Sequence, residues 1–131
     1  MIRTLSCHCG AVRLEVNAEL DSVTECNCST CSRWGMLNWK VPSNAVRLAT
    51  PSIGMGAYYW RFANEGFHWC RNCGTPMYRS WPHDTITLNA RCIEGIDIFD
   101  LKRNQFDGKS RVPSGSVPPL VETYSSQSGD A

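Results

Sequence analysis

The sequence lacks a long hydrophobic run and lacks an excess of charge of either sign. No stretch approaches the roughly 20 apolar residues that a helix needs to cross a bilayer, so a membrane protein is not expected. The chain has 13 lysine and arginine residues against 12 aspartate and glutamate residues, a net charge of +1 and no basic run. This balance offers no electrostatic footprint for general nucleic-acid binding. A small molecule is therefore the expected partner.

A signal-peptide pattern is also missing at the start of the sequence. Met1–Cys7 contains no apolar run of the kind that a secreted protein carries. A secreted disulfide scaffold is therefore the weaker interpretation of the cysteines, and we expect a protein of the reducing cytoplasm with free thiols.

Cysteine is what the sequence does have. Eight cysteines occur in 131 residues, and seven of them form three tight clusters. The clusters are Cys7-His8-Cys9, Cys26-Asn27-Cys28-Ser29-Thr30-Cys31 and Cys70-Arg71-Asn72-Cys73. A disulfide needs Cα atoms about 5.5 to 6 Å apart and a defined torsion, whereas thiolates two or three residues apart converge readily on one tetrahedral zinc ion. The clusters therefore predict a zinc protein.

Stoichiometry divides these seven cysteines into two sites. The middle cluster supplies three ligands, and adding another pair would give five ligands to an ion that usually takes four. The two remaining pairs then share a second ion. The three-cysteine set, called the triad below, is Cys26, Cys28 and Cys31. The four-cysteine set, called the quartet, is Cys7, Cys9, Cys70 and Cys73. The prediction is two Zn²⁺ per chain, a structural ion in the quartet and a catalytic ion in the triad.

The triad leaves one corner of its tetrahedron open. An open corner, filled by water or substrate, is the usual mark of a catalytic zinc ion. Cys92 is a candidate fourth ligand, and if it closed this corner both zinc ions would be structural. Cys92 is alternatively a reactive thiol beside the metal, or a buried and inert cysteine. The sequence leaves these alternatives open.

Short apolar segments predict a mainly β fold. Val12, Leu14 and Val16 alternate with polar residues and share one face of a strand within Ala11–Val16. Further strands are predicted at Leu37–Val41, Val46–Ala49, Ala57–Phe62, Gly66–Cys70, Pro76–Ser80 and Thr85–Ala90, each bounded by turn residues. A helix is predicted at Ser29–Trp34 and a turn at Ile98–Asn104.

Local geometry within the clusters can also be predicted. Residues i and i+2 of an extended segment point to the same side, so Cys7 and Cys9 are expected to face a metal while His8 faces away. Gly74 is expected to take a positive φ, which lets backbone N–H groups turn towards the sulfurs of the preceding C-x-x-C.

The length predicts one domain, small enough for a structural zinc ion to contribute to its folding. We assign this zinc-binding domain to residues 1–107. Residues 108–131 are rich in serine, proline and glycine, and they are predicted to form a loosely packed or frayed tail.

The ordered clusters resemble those of the glutathione-dependent formaldehyde-activating enzyme family, which also includes centromere protein V. The segments that carry the resemblance are Ser6-Cys7-His8-Cys9-Gly10-Ala11-Val12, Cys26-Asn27-Cys28-Ser29-Thr30-Cys31 and Cys70-Arg71-Asn72-Cys73-Gly74. The resemblance spans roughly residues 4–106. It implies a β-tent of short antiparallel sheets stabilised by zinc, with the quartet structural and the triad catalytic. The implied activity is that of a carbon–sulfur lyase, which splits a thiol–aldehyde adduct such as S-hydroxymethylglutathione or condenses formaldehyde with glutathione.

The chemistry of three thiolates agrees with that activity. Together with Zn²⁺ they leave a net charge of −1, and such a soft site prefers sulfur ligands. Its fourth corner can take a substrate thiol and lower the thiol pKa beside an aldehyde carbonyl. Two alternatives stay open: a hydrolase that uses zinc-activated water on a small carbonyl or imine substrate, and a non-catalytic zinc module that binds other macromolecules.

A few other residues are candidates for substrate binding or catalysis, although residues of these types more often have a purely structural role. Arg33 and Arg91 can grip a substrate carboxylate through a bidentate fork, although a surface arginine is more often solvated or ion-paired. His8, His68 and His83 are candidate acids or bases because imidazole titrates near neutral pH. The tryptophans are assigned mainly to packing.

Overall fold

The computed structural model describes residues 1–59, 66–80 and 84–111, and this part of the chain is mainly β, as predicted. It contains ten strands and one α-helix. The strands are β1 (Ile2–Ser6), β2 (Arg13–Asn17), β3 (Val23–Cys26), β4 (Asn38–Pro42), β5 (Val46–Leu48), β6 (Met55–Tyr59), β7 (Gly66–Cys70), β8 (Pro76–Ser80), β9 (Thr85–Asn89) and β10 (Arg103–Phe106). The helix, α1, is Ser29–Trp34.

The strands form two sheets. A three-stranded antiparallel sheet has the order β1-β2-β5, and a seven-stranded sheet has the order β10-β3-β4-β9-β8-β7-β6. Within the larger sheet the pairing is antiparallel except between β3 and β10, which run parallel. No helix in the described residues has the length and apolar character needed to cross a membrane.

Both sheets contribute to one hydrophobic core. In β2, the buried side chains of Leu14 and Val16 alternate with Arg13 and Glu15, which is the predicted period of two. Met77 and Leu88 are fully buried members of the same core from the larger sheet. The chain after β9 adds to the edge of the smaller sheet, because the Glu94 N–H donates to the Thr4 carbonyl at 2.8 Å. The core therefore fixes the two sheets against each other.

Sequence patterns predicted most of these elements. Helix α1 and strands β7 and β8 have the predicted limits, and β2, β4, β5, β6 and β9 overlap their predicted segments. Strands β1, β3 and β10 were not predicted. The predicted turn at Ile98–Asn104 is a 3-10 turn at Ile98–Asp100, while its last residues belong to β10. Residues 60–62 of a predicted strand, Trp60, Trp81, His83 and the tail from residue 112 lie outside the described residues.

Candidate metal centres

The quartet lies where the two sheets meet. Cys7 and Cys9 occupy the connection between β1 and β2, whereas Cys70 ends β7 and Cys73 lies in the turn before β8. All four sulfurs lie within 4.8 Å of one another. The Sγ–Sγ distance is 3.6 Å from Cys7 to Cys9 and 3.7 Å from Cys9 to Cys70. Zinc–sulfur bonds of about 2.3 Å in a tetrahedron separate two sulfurs by about 3.8 Å. The quartet thus has the dimensions of a tetrahedral metal site, and none of its thiols is in a disulfide.

Backbone groups support the quartet sulfurs. The Val12 N–H donates to Cys7 Sγ at 3.2 Å, and the Cys73 N–H donates to Cys70 Sγ at 3.5 Å. Gly74 has a φ of 80°, as predicted. Although burial opposes the change, hydrogen bonds from the Thr75 side chain and backbone lower the pKa of Cys73 to about 5. These donors stabilise thiolate charge, which is the form of cysteine that binds metals.

The expected extended conformation at Cys7-His8-Cys9 is wrong. The segment forms a turn in which the Gly10 N–H donates to the Cys7 carbonyl at 3.2 Å. The turn forms because β1 and β2 are the two strands of a hairpin. Beyond the last paired residues of the hairpin, the Cys7 N–H donates to the Val12 carbonyl, so the chain must reverse direction between these two residues. Both sulfurs still converge, and His8 is exposed.

The triad is built at the junction of β3 and α1. Cys26 is the last residue of β3, Cys28 is the N-cap of α1, and Cys31 lies in the first helical turn. The Cys31 N–H donates to Cys28 Sγ at 3.4 Å, and the Cys28 N–H donates to Cys26 Sγ at 3.5 Å. The three sulfurs lie within 4.8 Å of one another. Three soft donors so close together can hold a metal ion that prefers sulfur.

Two nitrogen donors from other strands point at the third sulfur of the triad. Asn38 Nδ2 lies 3.8 Å from Cys31 Sγ, and Arg79 Nη1 lies 4.0 Å from the same atom. Burial and the neighbouring Cys28 raise the pKa of Cys31 to about 12, and the positive charge of Arg79 opposes this shift. A divalent cation would displace the proton from such a thiol when it binds. Arg79 therefore belongs to the charge environment of the triad.

A cavity of about 580 Å³ opens beside the triad. Its floor includes Lys40, Thr87 and Arg79, which are neighbours in register on β4, β9 and β8 and so share one sheet face. Cys26 and Asn38 also line it, together with the acidic residues Glu19 and Asp21. The cavity thus offers positive and negative side chains next to a sulfur of the triad. Such a lining suits a small ligand that carries charges of both signs.

Arg79 and Lys40 were not predicted from the sequence as site residues. One signal was available, because a charged residue inside the predicted strand Pro76–Ser80 must lie on one of the two sheet faces. Which face it occupies depends on how β8 pairs with its neighbours, and its contact with Cys31 joins residues 48 positions apart in the chain. No local pattern carries that information.

The predicted substrate arginines are engaged elsewhere. Arg33 Nη1 donates to the Ser29 carbonyl at 2.9 Å within α1. Arg91 Nε donates to the Gly35 carbonyl at 2.8 Å, at the end of the same helix. Both residues are exposed, and neither lines the cavity at the triad.

Cys92 is buried against strand β8. Its Sγ lies 3.6 Å from the Pro76 carbonyl oxygen and 3.9 Å from Met77 Sδ. Burial, with the nearby charges of Cys7 and Cys73, raises the pKa of the Cys92 thiol to about 12. Among the described residues, the cluster at the triad contains only Cys26, Cys28 and Cys31. Cys92 therefore belongs to neither cluster, and the charges that shift its pKa come from the quartet.

His68 lies in β7 and belongs to neither cluster. Its ring stacks on Tyr78 with centroids 4.5 Å apart, and its Nε2 lies 3.2 Å from Ser80 Oγ. Burial lowers the pKa of His68 to about 4, against the opposing effect of a hydrogen bond to the Gly56 backbone. The residue is therefore neutral near neutral pH.

The buried imidazole predicts a loss of stability in acid. Because the folded-state pKa of about 4 lies below the ordinary value of 6.5, the unfolded chain takes up the proton first, and stability falls as pH drops from 6.5 towards 4. We expect this residue to contribute up to about 3 kcal/mol to that fall. Urea unfolding at a series of pH values should show a shallower dependence for His68→Gln than for the natural sequence. Parallel curves for the two proteins would contradict the prediction.

Comparison with known proteins gives a family match and a similar structure. A sequence model of the family described as glutathione-dependent formaldehyde-activating enzyme matches residues 2–106. A crystal structure of a Rhodobacter sphaeroides protein, determined as a structural genomics target, is similar with a TM-score of 0.70 and 22% identity. The similarity covers 77% of this chain and 99% of that chain. At this identity the structural likeness shows the fold alone.

Proposed function

Because the chain belongs to the glutathione-dependent formaldehyde-activating enzyme family, we propose that it is a zinc-dependent carbon–sulfur lyase. Its substrate would be a thiol–aldehyde adduct such as S-hydroxymethylglutathione, or formaldehyde and glutathione in the reverse condensation. The single observation that carries this proposal is the three-sulfur cluster at the edge of a cavity lined by charges of both signs.

The two cysteine clusters would hold two zinc ions with different roles. The quartet supplies four sulfurs and so fits a closed structural site, whereas the triad supplies three and leaves a position for a reactant. When bound at the triad, zinc supplies an electrophilic partner that holds a substrate sulfur and lowers the pKa of a thiol. The N–H donors of Asn38 and Arg79 would share the negative charge of the three thiolates through Cys31.

The cavity residues would bind the rest of the adduct. Glutathione carries two carboxylates and one ammonium group at neutral pH. Arg79 and Lys40 can pair with carboxylates, and Glu19 and Asp21 can pair with the ammonium group. These contacts would hold the sulfur beside the triad and convert a bimolecular encounter into an oriented one.

The proposed reaction balances without a redox partner. In condensation a carbon–sulfur bond forms between the thiol and formaldehyde, and the proton lost by sulfur ends on the former carbonyl oxygen. Cleavage reverses both changes. The protein would therefore need only to orient the thiol sulfur and the formaldehyde carbonyl and to stabilise the charge that develops on them. No oxidant is needed.

Exchange spectroscopy tests this function directly. With ¹³C-formaldehyde and glutathione at equilibrium, the protein carrying two zinc ions should accelerate exchange between the hydrate and the S-hydroxymethyl adduct, measured by NMR. Coenzyme A and cysteine as alternative thiols would show how far the charges of the cavity select the substrate. Absence of acceleration with every thiol, or turnover of a small carbonyl or imine substrate without any thiol, would contradict the proposal.

Substitution of Arg79 should impair this activity through substrate binding. We expect Arg79→Met to lower kcat/KM for the adduct by about 10- to 100-fold, mainly through KM, because a charge-assisted hydrogen bond contributes about 1.5 to 3 kcal/mol. Arg79→Lys should recover part of the loss. Arg33→Met and Arg91→Met are matched controls and are expected to stay within about twofold of the natural enzyme. A larger loss in either control than in Arg79→Met would favour the arginines that the sequence predicted.

A further inference from the structure

The chain after the last described strand returns to the triad. Strand β10 runs parallel to β3, and Phe106 is paired with Cys26 at the end of that ladder. The chain then forms a 3-10 turn at Gly108–Ser110. Gly108 is buried, whereas Asp107 and Lys109 on either side of it are exposed. Gly108 is therefore the residue of this turn that packs against the rest of the protein, and it does so next to the triad.

Gly108 touches two residues of the triad. A Cβ atom built on Gly108 would lie 2.5 Å from Cys26 Sγ and 3.2 Å from Cys28 Cβ. Among the described glycines, a positive φ occurs at four others and not at Gly108, so space and not backbone conformation requires glycine here. A free cysteine side chain could rotate away from an added methyl group, but a sulfur fixed by a metal could not. The turn therefore covers the Cys26–Cys28 side of the cluster.

Asn27 holds this turn with both ends of its carboxamide. Its Nδ2 donates to Asp107 Oδ1 at 2.9 Å, and its Oδ1 accepts the Lys109 N–H at 2.9 Å. Ser110 Oγ donates to the second oxygen of Asp107, Oδ2, at 2.6 Å. Asn27 stands between Cys26 and Cys28 in the sequence. The same loop that presents two sulfurs therefore also binds the turn above them.

We propose that Asp107–Ser110 is a cap on the triad and that Asn27 is its positioning residue. The cap closes the Cys26–Cys28 side of the bound metal to solvent, so that a fourth ligand and a competing chelator reach the metal only from the cavity. This inference rests on the proposed function in one respect, namely that the triad holds a metal ion. It does not depend on which thiol adduct is the substrate.

Metal release measures the cap without using catalysis. Zinc transfer from the fully loaded protein to a chromophoric chelator should show two phases, with the faster one from the triad. We expect Asn27→Ala to accelerate that phase about 5- to 10-fold, because two hydrogen bonds that hold the cap are lost. Gly108→Ala should accelerate it at least as much. In the cobalt-substituted protein, both variants should also change the ligand-field absorption of the triad and leave that of the quartet unchanged.

Two matched controls separate the cap from general loosening. Asn104→Ala removes a 2.9 Å hydrogen bond from Asn104 Nδ2 to Ser22 Oγ in the same strand β10, away from the sulfurs. Gly54→Ala places a methyl group in another 3-10 turn, where the nearest atoms are 3.8 Å away. Both controls should release zinc at the natural rate.

The outcomes distinguish the cap from the proposed function. Release from Asn27→Ala at the natural rate, or equal acceleration in Asn104→Ala, overturns the cap while leaving a metal-dependent enzyme in place. A natural protein that binds no zinc ion at the triad overturns both. If Asn27→Ala or Gly108→Ala does not fold, Ser110→Ala provides the same test, because it removes only the Asp107 contact and should accelerate release about two- to threefold.

Discussion

Cys70→Ser is expected to leave the chain largely unfolded. Cys70 is fully buried, ends β7 and belongs to the quartet that lies between the two sheets. Binding of a structural zinc ion is worth about 10 to 16 kcal/mol in zinc-finger peptides, which is comparable to the whole stability of a typical domain. Serine is a poor ligand for zinc and removes one corner of the tetrahedron. Circular dichroism and amide NMR dispersion should show loss of the β structure, with little zinc bound.

Cys92→Ser is the matched control for this prediction. It makes the same chemical change at a buried cysteine that is outside both clusters. We expect this variant to fold and to bind two zinc ions, with a loss of about 1 to 3 kcal/mol because a more polar hydroxyl replaces a thiol at a buried position. Normal folding of Cys70→Ser would contradict a structural metal in the quartet. If Cys92→Ser binds one zinc ion fewer than the natural protein, Cys92 is a zinc ligand.

Elements with local signals were predictable from the sequence. Helix α1 begins within the cysteine cluster, with Cys28 as its N-cap, and ends at Gly35, whose φ of 70° suits glycine. Strands β7 and β8 flank the turn at Gly74, so the turn residues fix both limits. The two cysteine sets follow from ligand counting, because spacing within each cluster restricts which sulfurs can share an ion.

Elements that depend on pairing over long distances were not predictable. Only Leu5 of β1 is buried, so the strand shows no apolar period, and its pairing with β2 defines it. Strand β10 is polar and mostly exposed, and it is a strand because it pairs with β3 about 80 residues away. The same holds for the turn at Gly108, which was assigned to the tail by composition and contacts Cys26 in the folded chain.

These long-range contacts explain how the two sites differ. The quartet draws its sulfurs from segments of both sheets, so a metal bound there would stabilise the whole fold. The triad draws its sulfurs from one short segment, Cys26–Cys31, which packs through α1 on the larger sheet: the Trp34 ring lies 5.5 Å from Phe67 and 6.0 Å from Trp69. The fold around the triad is therefore expected to depend less on a bound metal than the fold around the quartet does. Stability and activity should separate between the two clusters.

Cys26→Ser is accordingly expected to abolish activity and preserve the fold. Cys26 is half-buried at the edge of the cavity and, unlike Cys28, does not cap α1. Loss of one of three sulfurs should reduce zinc content from two ions to one and remove several kcal/mol of stabilisation of the reacting sulfur, which corresponds to a decrease in kcat of about 10³-fold or more. Metal analysis, urea unfolding and the exchange assay measure the three effects on one preparation. If Cys26→Ser loses one zinc ion and keeps natural turnover, the triad is not the catalytic centre. If Cys26→Ser unfolds as Cys70→Ser is expected to, both clusters are needed for the fold.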